Sequence, residues 1–137
     1  MIRIGEDKTT IYINRQETTN GEFSRLAFYF PIYNAVTKEE EKYMFKLDDV
    51  ITFEVIDKKG YTKNEIIKKE YTLKDLGYVE PTEIVEIPLT SEDTKLFPLK
   101  NKTATYWYEI YLNHTTTILG FDNDGAKKII VYPSDKE

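Results

Sequence analysis

The 137-residue chain has one histidine, His114, and no cysteine. These two facts narrow the chemistry open to it. A classical zinc site draws on several Cys or His ligands and is all but excluded. Disulfides and a cysteine nucleophile are excluded outright. A serine triad with a histidine base would have to use His114, which follows Asn113 in an expected turn and reads as a surface residue. Asp122-Asn123-Asp124-Gly125 sets oxygen ligands at alternate positions, as a calcium loop begins. Ala126, Lys127 and Lys128 follow, and no glutamate closes such a loop. The stretch therefore reads as a hairpin turn, because Asn, Asp and Gly tolerate positive φ. No glycine-rich phosphate loop is present. A glycosidase needs only two carboxylates, but spacing pairs none of those available. The expectation is a protein that is not an enzyme and holds no metal or cofactor.

The aromatic residues are the more unusual feature. The chain has 11 tyrosines, and TYWYEIYLN (105–113) packs four aromatics into one short run. In an extended strand, Tyr106, Tyr108, Ile110 and Leu112 share one face. Thr105, Trp107, Glu109, Tyr111 and Asn113 share the other. The first set predicts core. The second alternates aromatic with polar side chains and fits a face that is only partly covered. Trp107 and Tyr111 are then either a cross-strand packing feature or anchors of a protein interface, where aromatic residues are enriched.

The surrounding elements follow mostly a period of two. TTIYINR (9–15), EFSRLAFYF (22–30), DVITFEVIDKKG (49–60), NEIIKKEYTL (64–73), TEIVEIPL (82–89) and TATYWYEIYLN (103–113) read as strands. Asn20-Gly21 and Lys58-Lys59-Gly60 read as turns, KYMF (42–45) as a short strand, and 31–42 as a connection. TTTILGF (115–121) and AKKIIVY (126–132) flank the expected hairpin turn. TSEDTKLF (90–97) predicts one short helix: Thr90 or Ser91 can cap it, Glu92 and Asp93 suit its first turn, and Pro98 stops it. It marks the corner where the chain crosses between sheets. Seven or eight strands with one short helix near 91–97 predict an all-β, antiparallel, immunoglobulin-like sandwich without a disulfide, with a closed barrel as the runner-up. Residues 1–137 form a single domain in this reading, with 133–137 as a polar tail. Phe53 and Tyr108 are expected in the core, on facing sheets.

A net charge of −5 argues against nonspecific nucleic-acid binding. Glu39-Glu40-Glu41, flanked by lysines, reads as a solvated loop. No apolar run has signal-peptide or membrane-span length. A soluble protein made in a reducing cytoplasm is expected.

The order of Asp49–Val55, Ile87–Thr94 and Tyr106–Leu112, followed by TILGFDNDG and IIVYP, resembles small β-sandwich virion proteins of tailed phages and prophages of low-GC Gram-positive bacteria. It is similar to the N-terminal domain of the baseplate upper protein family, over roughly residues 45–133. The resemblance implies a virion protein made in the host bacterial cytoplasm. The chain ends without the extension that carries a receptor-binding domain in that family. The expectation is therefore a small structural subunit, a capsid decoration or a tail or baseplate accessory protein, docking in multiple copies on other virion proteins or on itself. A carbohydrate-binding module using Trp107, Tyr111 or tyrosines near the hairpins is the alternative, and a host regulatory or adhesive sandwich the third reading. No nucleic acid or membrane partner is expected.

Overall fold

The fold is described from a computed structural model over residues 2–3, 10–14, 22–59, 62–98, 102–119 and 127–133. Its elements are β1 (Ile2–Arg3), β2 (Ile11–Asn14), β3 (Glu22–Phe28), β4 (Pro31–Asn34), β5 (Glu39–Lys42), β6 (Val50–Lys59), β7 (Thr62–Thr72), β8 (Val85–Thr90), α1 (Ser91–Lys95), β9 (Ala104–Leu112), β10 (Thr116–Leu119) and β11 (Lys128–Tyr132). The protein is all-β and sandwich-like. One sheet runs β1-β3-β8. The other runs β2-β11-β9-β6-β7, with β10 also on β9, and β4 and β5 form a ribbon of their own. Among the described residues the larger sheet stays open, ending at β2 and β7, so no barrel closes.

Alternation explains the core. Ile51, Phe53 and Val55 of β6 and Tyr106, Tyr108 and Ile110 of β9 all point inward. They meet Leu26 and Phe28 of β3 and Val85, Ile87 and Leu89 of β8 in one apolar cluster. Phe53 and Tyr108 are both buried, but they do not sit on facing sheets. They lie on the adjacent strands β6 and β9 of one sheet, with ring centroids 6.0 Å apart.

Two of the expected elements differ in the structure, the first because turn composition does not settle strand pairing. The strands flanking 122–125 do not pair with each other. β10 and β11 both run antiparallel to β9, β10 against Leu112–Ile110 and β11 against Trp107–Ala104. Because β6 occupies the opposite edge of β9, β10 and β11 lie in line on one side, and the chain keeps its direction across the gap. The Asp122–Gly125 turn itself lies outside the described residues, as do Asn20-Gly21, Gly60 and the tail after Pro133. KYMF is likewise not a strand. The strand falls earlier, at Glu39–Lys42, and Phe45 makes only an isolated bridge to Thr82. Two pairings, β1 with β3 and β2 with β11, are parallel, where the sequence suggested antiparallel neighbours throughout.

The helix corner forms as its residue types require. The Thr90 hydroxyl accepts from the Asp93 backbone N–H at 3.1 Å, and the Asp93 carboxylate accepts from the Thr90 N–H at 2.8 Å. This reciprocal box satisfies donors that the first helical turn leaves free. Lys69 of β7, on the core-facing side opposite Phe53, reaches across to the same carboxylate and donates to the Pro88 carbonyl at 2.9 Å. One carboxylate thus caps the helix and ties the edge strand β7 to β8. An inward-pointing lysine on an edge strand also discourages strand-to-strand aggregation. Replacing Asp93 with alanine is expected to cost about 2 kcal/mol in urea melts, through the lost cap and the charge left on Lys69. A loss below about 0.5 kcal/mol, the level of an ordinary surface change, would show that the corner contributes little.

Candidate interaction surfaces

The outer face of the larger sheet carries the two aromatic residues singled out from the sequence. Trp107 and Tyr111 are both half-buried and alternate with the core residues of β9. Four residues of extended chain separate their Cα atoms by about 13 Å. Their surroundings differ. Trp107 lies between Ile56 of β6 and Lys128 of β11. Ile56 faces outward yet is only 4 % exposed, so Trp107 has a buried apolar cross-strand neighbour on this side. Tyr111 lies between Thr52 of β6 and Thr117 of β10. The two aromatics share a face, but the structure does not bring them into one site.

Tyr111 instead forms one wall of a shallow depression of about 180 Å³, shared with Thr52, Glu54, Lys68 and His114. Strand register assembles it: Thr52 pairs with Tyr111, and Glu54 pairs with Lys68 of β7. On its other side Glu54 faces Glu109, a like-charge cross-strand pair that costs stability. Thr52 is only 3 % exposed, and its Oγ1 finds no hydrogen-bond partner among the described residues. An unpaired buried hydroxyl costs roughly 1–3 kcal/mol.

His114 arrives from the turn after β9. Asn113 and His114 take φ of 51° and 63° there, a region that Asn and His enter more readily than most residues. The imidazole Nε2 sits 3.3 Å from Glu70 Oε1 on β7. The turn is held from below by Asp49, itself 6 % exposed. Its carboxylate accepts from the Lys46 N–H at 2.8 Å, the Tyr43 hydroxyl at 2.9 Å and the Asn113 side-chain amide at 3.1 Å. Asn113 closes the ring by accepting from the Val50 N–H at 2.8 Å. Burial alone would raise the Asp49 pKa. The Lys46, Asn113 and Tyr43 hydrogen bonds, with the Lys46 charge, outweigh it and hold the carboxyl below its ordinary value. Burial, then the Asp49 hydrogen bond and nearby carboxylate charge, push the Tyr43 phenol up.

A third surface was not foreseen. Residues 31–42, read as a connection, form the β4–β5 ribbon, with Ile32 opposite Glu41 and Tyr33 opposite Glu40. Asn34 Oδ1 accepts from the Val36 and Thr37 N–H groups at 2.9 and 3.1 Å and shapes the turn. Ile32, Tyr33 and Val36 are 37, 68 and 92 % exposed, and every side chain of Glu39–Lys42 is exposed. Tyr43 N–H donates to the Phe30 carbonyl at 2.8 Å, and their rings lie 5.8 Å apart, rooting the ribbon in the body. The signal in sequence was Asn34 after the strand-forming pair Ile32-Tyr33; the acidic run hid it. Among the described residues no group of three or more metal-binding side chains converges, and no helix is long and apolar enough to cross a membrane.

No protein-family model, curated protein or solved structure matches the chain.

Proposed function

We propose that this is a non-enzymatic structural protein of a phage virion that docks in multiple copies on other virion proteins, as a capsid decoration or a tail or baseplate accessory subunit. The observation that carries docking is the β4–β5 ribbon, which presents Tyr33 and Val36 at 68 and 92 % exposure with no third strand beside it among the described residues. A lone two-stranded ribbon is marginal in water, and exposed apolar side chains on a projecting element favour contact with a partner. The half-buried Trp107 and Tyr111 add aromatic anchors on the outer sheet face. The sequence resemblance over residues 45–133 supports the phage setting. Each contact can be weak, because copies engaged together gain avidity.

The test is mass spectrometry of purified particles. The polypeptide is expected in many copies. Two folded variants, Tyr33→Ala with Val36→Ser and Trp107→Ala with Tyr111→Ala, are expected to lose incorporation. Absence of the wild-type chain from particles would sink the proposal, and full incorporation of both variants would remove both surfaces from it.

A further inference from the structure

We propose that the depression walled by Thr52, Glu54, Lys68, Tyr111 and His114 binds a single uncharged sugar ring. This rests on the groove alone and does not depend on virion docking. Its volume of about 180 Å³ is below the ~300–1,000 Å³ of drug-sized sites and suits one ring. The chemistry of the walls is mixed. Tyr111 supplies a half-buried aromatic surface on which the C–H face of a pyranose can stack. Glu54 only accepts hydrogen bonds and Lys68 only donates them. Although they pair across β6 and β7, no ion pair closes between them, so both remain available to a ligand. Vicinal hydroxyls, each donor and acceptor, match that arrangement.

Other ligand classes fit less well. An anion would meet Glu54, with Glu109 and Glu70 beside it. A cation would meet Lys68. A purely apolar ligand would cover part of the Glu54 carboxylate and the buried Thr52 hydroxyl without giving either a partner. The Thr52 hydroxyl provides an independent pointer: it is buried in the groove wall and has no partner among the described residues. A rotation of about 120° in χ1 moves the hydroxyl to the position now held by the methyl group, and a sugar hydroxyl would complete it. Trp107 is not among the walls, so of the two outer-face aromatics only Tyr111 serves this site.

The experiment is a two-dimensional amide NMR titration of the isolated chain with glucose, galactose, mannose, N-acetylglucosamine and N-acetylgalactosamine. At least one is expected to give saturable shifts with millimolar affinity, centred on Thr52, Glu54, Lys68, Tyr111 and His114. Tyr111→Ala should weaken that binding roughly tenfold, the loss expected of one aromatic contact. Thr52→Val should weaken it several-fold while leaving the melting temperature equal or higher, since it removes an unsatisfied hydroxyl. Lys68→Ala, at an exposed position, should also weaken binding and supplies the test if Tyr111→Ala fails to fold. No saturable shift from any of the five at tenth-molar concentration would overturn the proposal. So would saturable shifts that map elsewhere on the fold.

Discussion

Replacing Phe53 with alanine is expected to destabilise the fold by about 3–5 kcal/mol. Phe53 is 1 % exposed on the inner face of β6, a strand paired on both sides by β9 and β7. Its ring packs beside that of Tyr108, which is fully buried. Truncation removes a large apolar surface from contact and leaves a cavity that two flanking strands cannot easily collapse. Against a typical total of about 5–15 kcal/mol, the urea midpoint should fall steeply with little change in slope. Val36→Ala, at 92 % exposure, is the matched control and should change little. A loss below about 1 kcal/mol at Phe53 would show that the β6 register is wrong.

Asp49→Ala is expected to cost about 2–4 kcal/mol, for a different reason. Three donors, the Lys46 N–H, the Tyr43 hydroxyl and the Asn113 amide, converge on one carboxylate. Removing it strands all three beneath the turn that presents His114. The pH dependence follows from the lowered carboxyl pKa. A group bound more weakly by protons in the folded state contributes stability above its unfolded pKa, about 3.9. That contribution is lost as pH falls through the still lower folded value. Wild type should therefore lose stability on acidification below about pH 4 more steeply than Asp49→Asn. Parallel acid-limb slopes for the two proteins would show that the Asp49 charge is not what holds the turn.

The strands legible in the sequence were those with strict alternation against a buried face. β6 and β9 repeat an inward apolar residue at every second position, so their faces could be assigned directly. The α1 corner was legible because Thr90, Asp93 and Pro98 are each suited to a particular position in a short helix. Pairing was harder. Asp122–Gly125 has the composition of a reversal, but composition cannot say whether the strands on either side pair with each other or both with β9. The β4–β5 ribbon was missed because its exposed faces carry no apolar alternation, only Ile32-Tyr33 and three glutamates. Phe53 and Tyr108 were rightly placed in the core, yet pattern alone could not tell one sheet from two. Of the groove, Tyr111 was visible as an aromatic. Thr52 and Glu54 share a face of β6 by alternation, but Lys68 and Tyr111 join them only through the registers of β7 and β9, and His114 only through the turn that Asp49 holds.

The parallel seam between β2 and β11 bears on how the chain folds. Ile11 lies beside Ile129, whereas β6 and β7 are joined by a short connection. Closing so long a loop costs more chain entropy than closing a hairpin, although the cost grows only with the logarithm of length. Folds dominated by such distant pairings cross their barriers slowly. The β6–β7 hairpin can assemble from local contacts, but β2 must wait for β11 to be in place. Among the described residues β2 has one neighbour and four paired positions, so the seam has little to hold it once β11 loosens and is expected to open at low cost.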